Sequence, residues 1–287
     1  MHDARGTLSV VATPLGDPTD LSPRAAAALQ AADVIVAEDT RSARRLLAGL
    51  AGGGADRPRT ILSCFDANEA ARAAEVRDRL QAGATVALVS EAGTPLVSDP
   101  GFRIVTAAIE AGARIVPIPG PSAVLAALVG AGLPTDRFMF LGFPPRKPGA
   151  RRRLFESVRL LPATLVCYES PLRTAATLAD MAAVLGADRR ACVARELTKP
   201  HEEFVRDTLA ALAARYAEGR PLGEVTLVVE GADADAPAEP LDDDEIVERG
   251  HAMIADGQSP TDVARDLAGL TGRPRREIYK LIVRDSD

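Results

Sequence analysis

The sequence predicts an α/β protein of two domains, followed by a small helical C-terminal module. Three observations carry that expectation. Between residues 7 and 118, short apolar runs alternate with longer amphipathic stretches, the pattern of a mostly parallel sheet flanked by helices. A second series of the same kind occupies 119–231. The stretch 232–240, ADADAPAEP, then lacks large apolar residues and reads as a linker before the tail, 241–287.

Taken in order, residues 7–12 (TLSVVA) form the first expected strand, and a polar turn covers 13–20. Ser22 can cap a helix, Pro23 suits its first position, and strong helix formers continue to Ala31. Further strands are expected at 33–37, 60–63, 84–90 and 113–118, with helices at 41–50 and 67–82. The stiff segment Pro117-Ile118-Pro119-Gly120-Pro121 continues neither ladder nor helix, which puts a domain boundary after residue 118. Beyond it, strands are expected at 138–141, 163–168, 190–195 and 223–229, and helices near 122–131, 151–160, 172–185 and 207–217, with no strand order readable. In the tail, Ser259-Pro260-Thr261-Asp262 has the form of a capping box, and a second helix runs from Arg275 to Val283. Two short helices around a Gly-containing turn suggest a helix-turn-helix-like module made basic by Arg265, Arg273, Arg275, Arg276, Lys280 and Arg284; a packing or dimer appendage reads equally well.

At 287 residues the chain has room for both domains. Hydrophobic residues make up 47%, yet no apolar run approaches the roughly 18 residues of a membrane span, and the N-terminus has no apolar leader core. A cytoplasmic protein is expected. Cys64, Cys167 and Cys192 are odd in number and widely spaced, so no disulfide framework is expected. His2, His201 and His251 form no ligand spacing with them, so no metal site is expected either. A net charge of −6 excludes coating nucleic acid by charge alone, and RNA contact would fall to local basic patches. Arg146, Lys147, Arg151, Arg152 and Arg153 make one such patch; a solvated loop entering a helix is the plain alternative.

Three turns collect Gly, Pro and small hydroxyl residues directly after predicted strands, where open α/β sheets bind ligands. They are Ala12-Thr13-Pro14-Leu15-Gly16-Asp17, then Ser90-Glu91-Ala92-Gly93-Thr94-Pro95 running on to Ser98-Asp99-Pro100-Gly101, then Pro119-Gly120-Pro121-Ser122. Such turns bring backbone groups close to a ligand of nucleoside type. No G-x-G-x-x-G or Walker motif is present, which leaves nicotinamide and NTPase readings unsupported.

The blocks ATPLGDPTDLSPRA, AEDTR (37–41), EAGTPLVSDPG (91–101), PGPSA (119–123), GLPTDRF (132–138), GFPPRK (142–147), YESPLR (168–173) and ARELTKPHEEF (194–204) cover nearly the whole chain. In that order they resemble the 16S ribosomal RNA 2′-O-cytidine methyltransferase family, itself similar to the tetrapyrrole methylases. The resemblance implies a two-domain tetrapyrrole-methylase-like fold, S-adenosylmethionine as methyl donor, 16S rRNA of the small ribosomal subunit as substrate, and a homodimer. It further implies that Pro14, Gly16, Gly93, Thr94, Val97, Ser122 and Ala123 shape the cofactor pocket, with Tyr168, Leu197 and Thr226 approaching from the second domain. Asp17, Glu91, Phe65 and Ala67 depart from the family pattern, the last two standing where histidines are usual. A tetrapyrrole substrate, or a non-catalytic cofactor- and RNA-binding assembly protein, are the competing readings.

Methyl transfer to a ribose hydroxyl is an in-line displacement helped by alignment and by a base. Glu38, Asp39, Asp99, Glu169 and Glu196 sit at or just past predicted strand ends. Asp99 also reads as a helix cap with Pro100 behind it, and Lys199 as an ordinary surface lysine. The sequence therefore nominates Glu38, Asp39 and Arg41 as the catalytic group.

Overall fold

The computed structural model describes residues 6–50, 59–233 and 241–284. Most of the expected linker, 234–240, lies outside the described residues. The chain forms two compact units; 6–157 and 163–230 belong to one, 158–162 and 231–284 to the other.

In the larger unit, the first sheet comprises β1 (Thr7–Val11), β2 (Val34–Ala37), β3 (Thr60–Ser63), β4 (Thr85–Val89) and β5 (Arg114–Ile118), in the order β3-β2-β4-β1-β5 with every pair parallel. Its crossovers are α1 (Pro23–Ala31), α2 (Thr40–Ala48), α3 (Glu69–Gln81) and α4 (Phe102–Glu110). Alternate strand residues supply the two faces. Val11, Ile35, Ala87 and Val89 pack with Leu29 and Leu47, while Leu8, Val34, Val36, Val86 and Leu88 pack with Val76, Leu80 and Ile104. Ser22 caps α1 through Ala25 N–H at 3.1 Å.

Register fixes where the site lies. Val11 pairs with Val89 on one side and Ile118 on the other, and Ala37 pairs with Val89 and Ser63, so all five strands end level. The chain visits β1, jumps to β2 and β3, and returns to insert β4 beside β1. The three Gly/Pro turns thus leave neighbouring strands at the point where strand order reverses, the place open α/β sheets offer a ligand.

The second sheet comprises β6 (Phe138–Phe140), β7 (Thr164–Glu169), β8 (Arg190–Arg195), β9 (Glu203–Thr208) and β10 (Val225–Val229), in the order β6-β7-β10-β8-β9. Only β6 and β7 run parallel. Strand β9 was not expected: EFVRDT is a polar edge strand whose end overlaps the onset of the helix read at 207–217. Four helices accompany this sheet: α5 (Ala123–Ala131), α6 (Pro148–Ser157), α7 (Thr174–Leu185) and α8 (Leu209–Glu218). Helix α5 packs Val124, Ala127 and Leu128 on Val166, Ala194 and Val228. Arg206 of β9 donates to the carbonyls of Gly130 and Ala131 and closes the end of α5.

The smaller unit holds α9 (Asp243–Ala255), α10 (Pro260–Thr271) and α11 (Arg275–Arg284) around Ile246, Val263, Leu267, Ile278 and Ile282. The tail therefore has three helices, one more than the sequence suggested. The full capping box belongs to Asp242 and Glu245 of the unforeseen helix. Ser259 does cap α10, but the Asp262 carboxylate engages the Ser259 hydroxyl at 2.6 Å and Arg265 at 2.8 Å, so the reciprocal half is missing. Among the described residues no helix is long and apolar enough to cross a membrane.

Candidate active site

The three turns are tied into one rim. Thr13 and Gly93 exchange backbone hydrogen bonds of 2.8 and 3.0 Å, and Thr94 Oγ1 donates to the Pro121 carbonyl at 2.9 Å. Gly93 has φ +80°, and a Cβ there would stand 3.1 Å from Leu15. Gly120 lets the third turn press on the first, since a Cβ would lie 2.9 Å from Ala12 Cβ.

Loops of the second sheet close on this rim. The Asp17 N–H donates to Thr198 Oγ1 at 3.2 Å, and a side chain at Gly16 would collide with the Lys199 stem. Gly142 comes up to the Ser98 hydroxyl. Leu15, Val97, Ala123 and Tyr168 pack together on the buried cluster that contains Leu197. Tyr168 is flanked by Phe140 and Phe143 at centroid distances of 4.9 and 5.5 Å, and it pairs in register with buried Thr226. Sequence-nominated residues from turns about 100 positions apart are thus brought into one apolar wall.

Among the described residues, four other than glycine adopt left-handed backbone: Leu96, Ser98, Glu196 and Thr198. All four lie in the two loops that face each other here. Each such conformation costs on the order of 1–3 kcal/mol and persists where surroundings enforce it. Glu196 supplies the enforcement in one loop, accepting from Lys199 Nζ at 3.0 Å and from Glu224 N–H at 3.1 Å. Those bonds hold the Glu196 carboxyl below its ordinary value.

The carboxylates sort differently from the sequence reading. Asp39 caps α2, its Oδ1 accepting from Arg41 N–H at 2.7 Å, and its Oδ2 pairs with Arg41 Nη2 at 3.2 Å. These bonds lower the Asp39 pKa, which makes it a poor base, and Arg41 is spent on the same pair. Glu38 is exposed and raised by partial desolvation, then by Glu91, Asp66 and Asp39. Glu169 is buried under Arg173, Thr177 and the Ser170 N–H, a structural hub.

Asp99 does not cap a helix. Gly101, at φ +134°, moves the start of α4 to Phe102, and Glu69 of α3 accepts from the N–H groups of Gly101 and Arg103 at 2.8 and 3.0 Å. Half-buried Asp99 instead faces Ser90, Glu38 and Glu91 on the rim and Tyr168 from the second sheet. Burial, with Glu38 and then Glu91, pushes its pKa up to about 6 against the Ser90 hydroxyl, while burial first and then Asp99 push the Tyr168 phenol to about 12. A carboxyl set near neutrality beside the wall of the rim is equipped to accept a proton.

The basic segment divides as well. Arg151 is buried on Asp180, with Nε 2.7 Å from Oδ2, and Arg152 Nε meets the same carboxylate at 2.7 Å. Arg151 therefore cannot face a nucleic acid. Arg146, Lys147 and Arg153 remain exposed, as do Arg275, Arg276 and Lys280 on α11. The three cysteines are free and buried, and burial raises Cys64 and Cys192 to about 11.

Residues 7–213 match the tetrapyrrole (corrin/porphyrin) methylases. A protein of Xylella fastidiosa, ribosomal RNA small subunit methyltransferase I, is 45% identical over 276 residues, spanning 96% of this chain and 98% of that one. The chain belongs to this methyltransferase family. It is an enzyme, and its fold is that of the wider group. A conserved protein of Aeropyrum pernix superposes with a TM-score of 0.61 at 19% identity, over 98% of this chain and 96% of that one. The uroporphyrin-III C-methyltransferase of Thermus thermophilus, solved with S-adenosylhomocysteine, gives 0.54 at 21%, over 78% and 97%. The family membership accounts for the rim: its Gly/Pro turns are the blocks that carried the sequence resemblance, and those blocks also hold Asp99 and the left-handed residues, whose burial and backbone strain only the fold discloses.

Proposed function

We propose that the chain transfers a methyl group from S-adenosylmethionine to the ribose 2′-hydroxyl of a cytidine in 16S ribosomal RNA. The observation that carries this is the rim itself, three linked turns closed by an apolar wall with a half-buried carboxyl beside it. The residues suit the cofactor. Gly93, beside Leu15, admits close approach; Pro14, Gly16, Thr94 and Ser122 offer backbone and hydroxyl groups; Val97, Ala123, Tyr168, Leu197 and Thr226 line the other side. Bound there, S-adenosylmethionine supplies an electrophilic methyl on a sulfonium.

The chain's own part is alignment and proton handling. Asp99 accepts the proton of the ribose hydroxyl as the carbon–oxygen bond forms. The cation is consumed in the step, so the carboxyls of Glu38 and Asp99 favour binding of the charged donor over retention of the neutral product.

Arg146, Lys147, Arg152 and Arg153, with the cations of α11, would contact phosphates, and the nucleotide must leave its stack to reach the rim. The enzyme works in the cytoplasm, where its substrate is assembled, as a homodimer; exposed Leu125 and Val129 on α5 and Phe138 and Met139 on β6 support self-association. Its functional parts are 1–118, 119–231 and 241–287. Incubation with labelled S-adenosylmethionine and isolated small subunits, followed by digestion and mass analysis, tests the reading. Label on a cytidine 2′-oxygen is expected; label in tetrapyrroles alone, or in nothing, overturns it.

A further inference from the structure

A cavity of about 330 Å³ opens at the carboxyl edge of the first sheet, on the other side of the β1 turn from the apolar wall. That size sits at the lower end of the roughly 300–1,000 Å³ typical of ligand pockets. Pro14 and Leu46 supply apolar surface, and Ser42, Arg45, Ser90 and Glu91 supply polar groups. The β1 turn is a partition between the two spaces. Leu15 packs into the wall beside Val97 and Tyr168, whereas Pro14 lines the cavity. Ser90 is shared too, since it lines the cavity and its hydroxyl donates to the Gly93 carbonyl of the rim at 3.1 Å. Whatever fills this space therefore lies one side chain from the rim.

The donors and acceptors on the lining are asymmetric. Glu91 is an exposed carboxylate, which only accepts, and Arg45, anchored by Nη2 to Ser42 Oγ at 3.0 Å, only donates. An adenosyl sulfonium held on the far side of the turn needs neither. A flat heterocycle with an amino donor at one edge and a carbonyl acceptor at another needs both.

We propose that this cavity receives the flipped target base and selects cytosine, with Glu91 accepting from the exocyclic N4 amino group and Arg45 donating to the base carbonyl. This rests on the ribose-methylation reading above and adds the specificity determinant to it. Cytosine N4 is the natural donor to a glutamate, whereas uracil presents a carbonyl oxygen at that place, which a carboxylate repels. Stacking plays a small part, because Pro14 and Leu46 rather than aromatic rings face the space. The nucleotide must be extruded to enter, as enzymes acting on individual bases require.

The test uses the full chain, labelled S-adenosylmethionine, and small subunits carrying either cytidine or uridine at the methylated position. The unaltered enzyme should prefer cytidine by about 10- to 100-fold in kcat/KM. Glu91→Gln, whose amide donates as well as accepts, should raise the KM for the cytidine substrate and bring the two substrates to within a few-fold of each other. Glu91→Asp keeps the carboxylate and should keep the preference, which separates recognition from misfolding. Arg45→Ala should raise KM on both substrates. Calorimetric affinity for S-adenosylmethionine should be unchanged in all three. An unchanged base preference in Glu91→Gln overturns the proposal, and so does a parallel loss of cofactor affinity, which would assign the cavity to the donor. Absence of label with the unaltered enzyme would bring down the ribose-methylation reading itself, whereas label with an unaltered preference removes only the base pocket.

Discussion

The two sheets contribute to the same rim by different means. The first is wholly parallel, its strands end level, and its turns reach the site through Gly93, Gly120 and a run of prolines. The second is largely antiparallel, and it reaches the site through loops whose left-handed residues, Glu196 and Thr198, are not glycine. The first side has left-handed Leu96 and Ser98 of its own, set between Gly93 and Gly101; the Glu196–Thr198 loop bends with no glycine beside it and is held by what surrounds it. Substitutions at the glycines of the first side and at the non-glycine bends of the second should therefore fail differently.

The largest effect is expected at Asp99. Asp99→Asn should lower kcat about 10²- to 10⁴-fold, the usual worth of a positioned base. In the unaltered enzyme, kcat/KM should rise with pH through about 6, and that acid limb should vanish in the variant; steady-state profiles check both. Stability runs the opposite way. The folded pKa lies above the ordinary aspartate value of 3.8, so the cost of ionising Asp99 is absent below about pH 4 and complete above about pH 6. Urea titrations of Asp99→Asn should lack that loss between pH 4 and 6.

Next comes the second sheet's support. Asp180→Ala would strand the buried Arg151 guanidinium and should cost about 3–5 kcal/mol by urea denaturation. Reversing Arg146, Lys147 and Arg153 to Glu should leave folding and cofactor affinity intact while weakening RNA binding, with a salt dependence reduced by roughly 0.7–0.9 per lost phosphate contact.

The smallest effects sharpen the contrast most directly. Gly93→Ala should destabilise by about 1–2 kcal/mol, because φ +80° disfavours a side chain and Leu15 must give way, and cofactor affinity should fall with it. Thr198→Gly should be near neutral or slightly stabilising, since relief of the left-handed cost offsets the lost bond to Asp17. Thermal melts in parallel would settle whether strain resides where the backbone indicates; equal destabilisation by both would erase the distinction.

These differences also explain what could be read from the chain. Strands of the first sheet were legible because both faces are covered, so residues 34–37 and 86–89 are continuously apolar and flanked by Gly, Pro and capping residues. The rim was legible for the same reason. Strand β9 was not, because an edge strand of alternating polar character looks like a loop without its partner β8. Arg151 looked like its basic neighbours because Asp180, 29 positions away, has no local signature. Asp99 was misread through Ser-Asp-Pro-Gly, which carries the local grammar of a helix start; only Glu69, arriving from another helix, displaces it.

That substitution by Glu69 has an electrostatic consequence. The amino end of α4 carries a partial positive charge, and a carboxylate seated there is stabilised in its ionised form. By giving that seat to Glu69 of the neighbouring helix, which packs on the same face of the sheet as α4, the chain spares Asp99 that pull. The proton affinity of Asp99 is thus left to its burial and its acidic neighbours, because a different carboxylate holds the helix end.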